Sequence, residues 1–203
     1  MHGTCTRPDG SRKVVIDVGA NNGNSLRFWF NPTDSGHGMA EYARIERAEE
    51  RKSYCADVFE ANPHFNEQLS RLVRKYRSQG RSVRLFNGTA FSVGGGPVAF
   101  GVDPANTISS SLVRTKHVRG KTAWLSNYSI SVPSVDAIKY IRSLQGYNRV
   151  VLKVDVEGYE FELLRALRHP GIVALQEPPV VCDAHDLFCE LEGGVVLRNS
   201  WFE

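Results

Sequence analysis

The chain predicts an α/β fold: a mostly parallel sheet with helices on both faces. Three observations carry this. Val14-Val15-Ile16-Asp17-Val18-Gly19-Ala20-Asn21-Asn22-Gly23 is an apolar run that ends in an acid and a glycine-spaced turn, followed by Asn24-Ser25-Leu26-Arg27-Phe28-Trp29, which can wind as a helix. Strand and helix signals then alternate along the chain, the pattern of a parallel sheet covered on both sides. At 203 residues and 41% hydrophobic content, with no linker or low-complexity tract, the chain can bury one sizeable core and reads as a single domain over residues 1–203.

The first turn suggests a ligand. Gly19 and Gly23 allow positive φ and close backbone approach, and the unpaired amides at a helix start favour an anionic group. The acid in the same turn suits a cationic group, and an amino acid moiety has both charges. The spacing is neither the G-x-G-x-x-G of a dinucleotide site nor the G-x-x-x-x-G-K-[ST] of a triphosphate site. S-adenosylmethionine, with its aminoacyl tail, fits better, and a dinucleotide oxidoreductase is disfavoured.

The next elements follow in order. Residues 31–52 lengthen the crossover and read as an insertion containing an extra helix. Its run Glu46-Arg47-Ala48-Glu49-Glu50-Arg51-Lys52 interleaves charges as a solvated face does. A second strand runs from Tyr54 to Phe59 and ends at Glu60. Pro63 opens a helix that continues through Asn66 to Tyr76, with Leu69, Leu72, Val73 and Tyr76 at helical spacing as core. Gly80 stops it, and a third strand covers Ser82 to Phe86.

Residues 94–132 change the pattern, with Gly94-Gly95-Gly96 and the polar Thr107-Ile108-Ser109-Ser110-Ser111. They read as strands or a hairpin laid over the sheet, above the ligand crevice. Ser134 is the expected N-cap of a helix reaching Ile141. Val150 to Val156 form the fourth parallel strand, and Tyr159 to Leu167 a helix stopped by His169-Pro170-Gly171.

Residues 169–203 are atypical. Ile172 to Leu175 suggest a fifth strand, but Gln176-Glu177-Pro178-Pro179 interrupts it, and prolines exclude that stretch from a central strand. Val195-Val196-Leu197-Arg198 suggests one short edge strand. The C-terminal part of the sheet is therefore expected to be shortened. Glu177-Pro178-Pro179-Val180 lacks both the first residue and the stacking aromatic of the [DN]-P-P-[aromatic] loop of amino-methylating nucleic-acid enzymes.

Composition narrows the function classes. A formal charge of +3 is too small to imply a nucleic-acid partner. No run of about 18 apolar residues is present to span a membrane, and Met1 to Arg12 lack the apolar core of a signal peptide, so a cytoplasmic location is expected. Cys5, Cys55, Cys182 and Cys189 show neither C-x-x-C pairing nor scaffold density, so reduced thiols are expected. Cys182, His185 and Cys189 match no common zinc spacing.

The fourth strand supplies the second constellation. Side chains alternate in a strand, so Lys153, Asp155 and Glu157 share one side while Leu152, Val154 and Val156 take the other. Charges inside an apolar strand are costly unless paired or used. A Lys153–Asp155 ion pair is one account. The other places Asp155 and Glu157 at the carboxyl end of the strand, where ligands of open α/β sheets bind, with Gly158 turning the chain.

With these residues in view, the chain resembles the FkbM-type methyltransferases, a branch of the S-adenosylmethionine-dependent class I methyltransferases with their Rossmann-like sandwich. The resemblance rests on Asp17-Val18-Gly19-Ala20-Asn21-Asn22-Gly23, Phe59-Glu60-Ala61-Asn62-Pro63, Asn87-Gly88-Thr89-Ala90, Ser134-Val135-Asp136 and Leu152-Lys153-Val154-Asp155-Val156-Glu157-Gly158-Tyr159-Glu160, in the family's order and covering residues 13–168. It implies that Asp17, Gly19, Ala20, Asn21 and Gly23 hold the aminoacyl part of the cofactor and that Glu60 accepts from the ribose hydroxyls, with Asn62 adjoining. It further implies that Asn87, Gly88 and Ala90 lie on the adenine side, and that Asp155 and Glu157 are the acidic pair close to the methyl group and acceptor.

The expected reaction is O-methylation of a hydroxyl on a sugar, glycan or small metabolite. Asp155 would orient or deprotonate that hydroxyl, Glu157 would hold the substrate or a metal ion, and His117 is a rival base. A divalent metal is compatible but not indicated. The alternative is a non-catalytic S-adenosylmethionine-binding or interaction domain, motivated by the altered C-terminus.

Overall fold

The computed structural model describes residues 12–31, 46–102, 110, 112, 115–118, 121–124, 128–144, 146–156, 159–167, 180–182, 189–191 and 195–198. Expectations placed on the insertion residues 32–45, on Glu157 and Gly158, and on residues 168–179 lie outside them.

Four parallel strands lie side by side. They are β1 (Lys13–Val18), β2 (Cys55–Glu60), β3 (Val83–Asn87) and β10 (Arg149–Val154). β1 sits between β10 and β2, with Val14 opposite both Val150 and Cys55, and Asp17 opposite Lys153. β3 lies outside β2, pairing Glu60 with Asn87. β1, β2 and β10 are almost continuously buried, as expected of a parallel sheet covered on both sides, while β3 is largely half-buried.

Alternation within each strand divides the core in two. Val14, Ile16 and Val18 pack with Leu152, Val154 and Phe59 beneath α4 (Ala137–Arg142) and α5 (Glu160–Leu167). Val15, Ala56, Val58 and Val151 pack on the other face beneath α1 (Asn24–Phe30) and α3 (Asn66–Ser78), against Leu26, Trp29, Leu69 and Tyr76. The helical spacing of Leu69, Leu72, Val73 and Tyr76 has the role expected of it, since all four are buried. Between α1 and β2 the described residues form a short helix, α2 (Ala48–Arg51), whose Arg51 is buried and donates to the Phe28 carbonyl at 3.2 Å.

Small paired strands lie within residues 94–132 and on either side of them. β4 (Ala90–Ser92) runs parallel with β9 (Ser134–Asp136), and β5 (Val98–Gly101) antiparallel with β8 (Ser129–Val132). β6 (Thr115–Val118) and β7 (Lys121–Trp124) are also antiparallel, and His117 belongs to β6. Phe100 and Val132 pack with Ala90, Ala61 and Leu112 in a third, minor core.

Two expectations are corrected. Ser134 is not the cap of α4: it is a strand residue whose hydroxyl meets that of Ser92 at 2.6 Å. The cap is Asp136, which accepts from the Ile138 and Lys139 amides at 3.0 and 3.1 Å, because its shorter spacing to the helix start reaches the unpaired donors. Nor is Val195–Arg198 an edge strand. As β13 it pairs parallel with β10 on one side and antiparallel with β12 (Cys189–Leu191) on the other, and β12 pairs with β11 (Val180–Cys182). Among the described residues the sheet therefore has seven strands in the order β11-β12-β13-β10-β1-β2-β3, so its C-terminal part is not shortened. Local composition could not show this, because the β10–β13 pairing joins residues more than 40 positions apart.

The cysteine expectation also changes. Cys55, on buried β2, is disulfide-bonded. Among the described residues, no helix is long and apolar enough to cross a membrane.

A buried polar cluster locks β2 to β3 and α4. The Arg84 guanidinium donates to both Asp57 oxygens at 2.5 Å, and the Tyr140 hydroxyl donates to the same carboxylate at 2.5 Å. Asp57 has no solvent exposure, so it depends on these donors. Arg84→Met leaves a buried carboxylate without its two guanidinium hydrogen bonds and is expected to cost about 3 kcal/mol by urea unfolding. A smaller loss than 1 kcal/mol would mean that the carboxylate is solvated.

Asp136→Ala is expected to cost about 1 kcal/mol at neutral pH. The amide of Lys139 holds the Asp136 carboxyl below its ordinary value. Its contribution is therefore complete above the unfolded value of about 3.9 and disappears as pH falls through the lower folded value. Unfolding curves of the two proteins should converge in that acid range.

Candidate functional site

The carboxyl ends of β1, β2 and β10 border one cleft. It is partly open to solvent. Gly19 and Asn21 line it from the turn after β1, Glu60, Ala61 and Asn62 from the end of β2, and Asp155 and Val156 from the end of β10. Thr89 and Ala90 contribute from beyond β3, and Phe100, Ser110 and Leu112 from the covering segment.

The first turn is built by backbone demands. Gly19 has φ +75°, and a Cβ there would lie 1.9 Å from the Asp155 carbonyl oxygen, so only glycine permits the ends of β1 and β10 to close up. Asn21 follows with φ +52°. Gly23, at φ +81°, begins α1, and a Cβ on it would press on Leu72 of α3 at 2.5 Å. Its role in the structure is thus packing and helix entry.

Lys153 organises the polar floor. Its ammonium donates to the Gly19 carbonyl at 2.7 Å and stands 3.1 Å from Asp17 Oδ1 and 3.5 Å from Asp155 Oδ2. The Lys153–Asp155 pair therefore exists, yet the closer carboxylate is that of Asp17. Asp17 also accepts from the Ser25 hydroxyl at 2.5 Å, which joins β1 to α1. Asp17 is buried beneath the turn and does not line the cleft, nor does buried Ala20. The Asp155 side chain is 32% exposed and does line it.

Glu60 is held by two backbone donors. The Asn21 amide reaches Oε2 at 2.6 Å and the Asn62 amide reaches Oε1 at 2.7 Å, so one carboxylate ties the β1 turn to the loop after β2. Burial raises the Glu60 carboxyl above its ordinary value, and these two amides oppose the rise. Asn62 accepts from the His64 amide at 3.0 Å, which caps the single 3-10 turn Pro63–Phe65, and donates to the Ser110 hydroxyl at 3.2 Å. That last bond connects the covering segment to the cleft.

Asn87 and Gly88 stand outside the lining. The Asn87 amide donates to the Asn66 carbonyl and the Ser70 hydroxyl of α3, each at 3.3 Å, while Gly88, at φ +59°, turns the chain toward Thr89 and Ala90. Phe100, Ser110 and Leu112 were not singled out as site residues. The glycine and serine runs marked their segment as a cover, but no local signal selects individual residues from it.

The remainder of the L-K-x-D-x-E-G-Y-E element supports the loop after β10. The Glu160 carboxylate accepts from the Val156 amide at 2.9 Å, and the Tyr159 hydroxyl accepts from the Val93 amide at 3.0 Å. Burial raises the Tyr159 hydroxyl above its ordinary value. Glu157 itself, His185 and Cys5 lie outside the described residues, and Cys182 and Cys189 are opposed in the β11–β12 ladder. Among the described residues, no group of three or more His, Cys, Asp or Glu is arranged to hold a metal ion.

This arrangement presents hydrogen-bond acceptors and a carboxylate at the strand ends of an open α/β sheet, where ligands of such folds bind. A family model described as the methyltransferase FkbM domain matches residues 17–187. No curated protein and no solved structure matches the chain. The family match spans the β1 turn, Glu60, the covering segment and Asp155, so the chain belongs to the FkbM family of methyltransferases.

Proposed function

We propose that this methyltransferase, working as one domain over the whole chain, uses S-adenosylmethionine and methylates the oxygen of a hydroxyl on a sugar, glycan or other small metabolite. The observation that carries the reading is the convergence of the Gly19–Asn21 turn, Glu60 and Asp155 on one cleft. Asn21 Oδ1 is a buried acceptor with no hydrogen-bond partner among the described residues, which suits the ammonium of an aminoacyl tail. Glu60 keeps acceptor capacity beyond its two backbone bonds and suits a pair of ribose hydroxyls. Ala61, Phe65, Ala90, Phe100 and Leu112 offer apolar surface to a base.

When bound, the cofactor supplies an electrophilic methyl group on a sulfonium. The chain's own contribution is alignment and proton removal. Asp155 accepts the proton of the acceptor hydroxyl, or orients that hydroxyl, and Lys153 and the Gly19 backbone set its position. Glu157 is proposed from sequence as the second acid, holding the acceptor or a divalent cation. Asp17 and Gly23 act beneath the turn by shaping it. Asn87 and Gly88 act through the course they impose on Thr89 and Ala90.

Asp155→Asn should reduce turnover at least about 100-fold while calorimetry shows S-adenosylmethionine affinity within a few-fold of wild type. Unchanged turnover on an accepted substrate sinks the role. Glu60→Gln removes a charged acceptor and turns an amide toward a backbone donor. It should weaken cofactor affinity about 10- to 100-fold, equivalent to about 1.5–3 kcal/mol. Affinity equal to wild type would place the ribose elsewhere. Cofactor binding without turnover on a broad panel of hydroxylated acceptors would instead favour a non-catalytic binding domain.

A further inference from the structure

We propose that Asn87 is a site of N-linked glycosylation. Asn87-Gly88-Thr89 fits the acceptor pattern N-x-[ST] with a middle residue other than proline. Sequence matches of this kind are common by chance, and the fold is what gives this one weight. Asn87 is the last residue of β3, the edge strand of the seven-stranded sheet, and it is exposed. Gly88 turns the chain, and the Thr89 hydroxyl donates to the Asn87 carbonyl at 3.0 Å, so the exposed acceptor amide and the half-buried hydroxyl share one turn.

The site can carry a sugar without loss of the fold. The Asn87 amide nitrogen makes two long bonds of 3.3 Å to α3. Glycosylation replaces one of its N–H bonds and leaves the other. Asn87 also stands outside the cleft lining, so a glycan there does not occupy the ligand space.

Oxidised cysteine chemistry is the second, independent observation. Cys55 is disulfide-bonded, and disulfides persist in the oxidising compartments through which secreted proteins pass. Those are the compartments where N-x-[ST] asparagines are modified. In the transfer, the Asn87 amide nitrogen forms a bond to the anomeric carbon of a lipid-pyrophosphate-linked oligosaccharide. The carbon–oxygen bond to the pyrophosphate breaks, the lipid pyrophosphate leaves with the electron pair, and the amide loses one proton. A second match, Asn127-Tyr128-Ser129, has exposed Tyr128 and Ser129, but Asn127 lies outside the described residues and carries no part of the proposal.

The test is peptide mapping of the full chain isolated from the cells that make it, before and after peptide-N-glycosidase in heavy-oxygen water. The expected result is a glycan on the Asn87 peptide and conversion of Asn87 to a heavy-labelled aspartate on release. Asn87→Gln and Thr89→Ala should abolish the modification, and Thr89→Ser should retain it, which keeps the test decisive if Asn87→Gln fails to fold. An unmodified Asn87 peptide in the isolated protein overturns the proposal, whether Cys55 is oxidised or free.

Discussion

The site depends on a single buried ammonium. Lys153 projects from β10 beneath the β1 turn, where it neutralises Asp17, approaches Asp155 and binds the carbonyl of Gly19. A lysine so little exposed is unfavourable unless paired, and here pairing requires β1 and β10 to be in one register. The same register brings the Gly19 Cα so close to the Asp155 carbonyl that no side chain fits between them. Electrostatics and sterics therefore impose the same alignment on the two strands that define the cleft floor.

The other acids are placed in the same economical way. Glu60 is fixed by amides from two different loops, and Asp57, three residues earlier, points to the opposite face and is satisfied by Arg84 and Tyr140. Strand alternation explains how β2 serves both: one carboxylate ties β3 and α4 together, and the other faces the ligand cleft. The two carboxylates of one strand are thus satisfied without competing for the same donors.

Much of this was legible along the chain. The strands at Lys13–Val18, Cys55–Glu60, Val83–Asn87 and Arg149–Val154 announce themselves as apolar runs, and α3 by its helical spacing, because burial on a sheet or beneath a helix selects residues locally. The glycine requirement at Gly19 was legible too, though its cause, the Asp155 carbonyl, was not. Asp136 and Ser134 were exchanged as caps because both residue types accept from backbone amides, and only the observed helix start distinguishes them. The oxidation of Cys55 was missed because bonding of a cysteine depends on what the fold brings beside it.

By itself the sequence determined the α/β class, the order of the central parallel strands' elements and the family, since these rest on local periodicity and on motifs in fixed order. Tertiary structure decided which motif residues face the cleft and which support it. Asp17 and Gly23 went beneath the turn, Asn87 went to α3, and Phe100, Ser110 and Leu112 arrived from a segment with no periodic signal. It also decided that β11 to β13 complete the sheet. The physical reason is common to all of these: a side chain's partners are set by strand register and chain return over tens of residues, and neither is encoded in the neighbours along the chain.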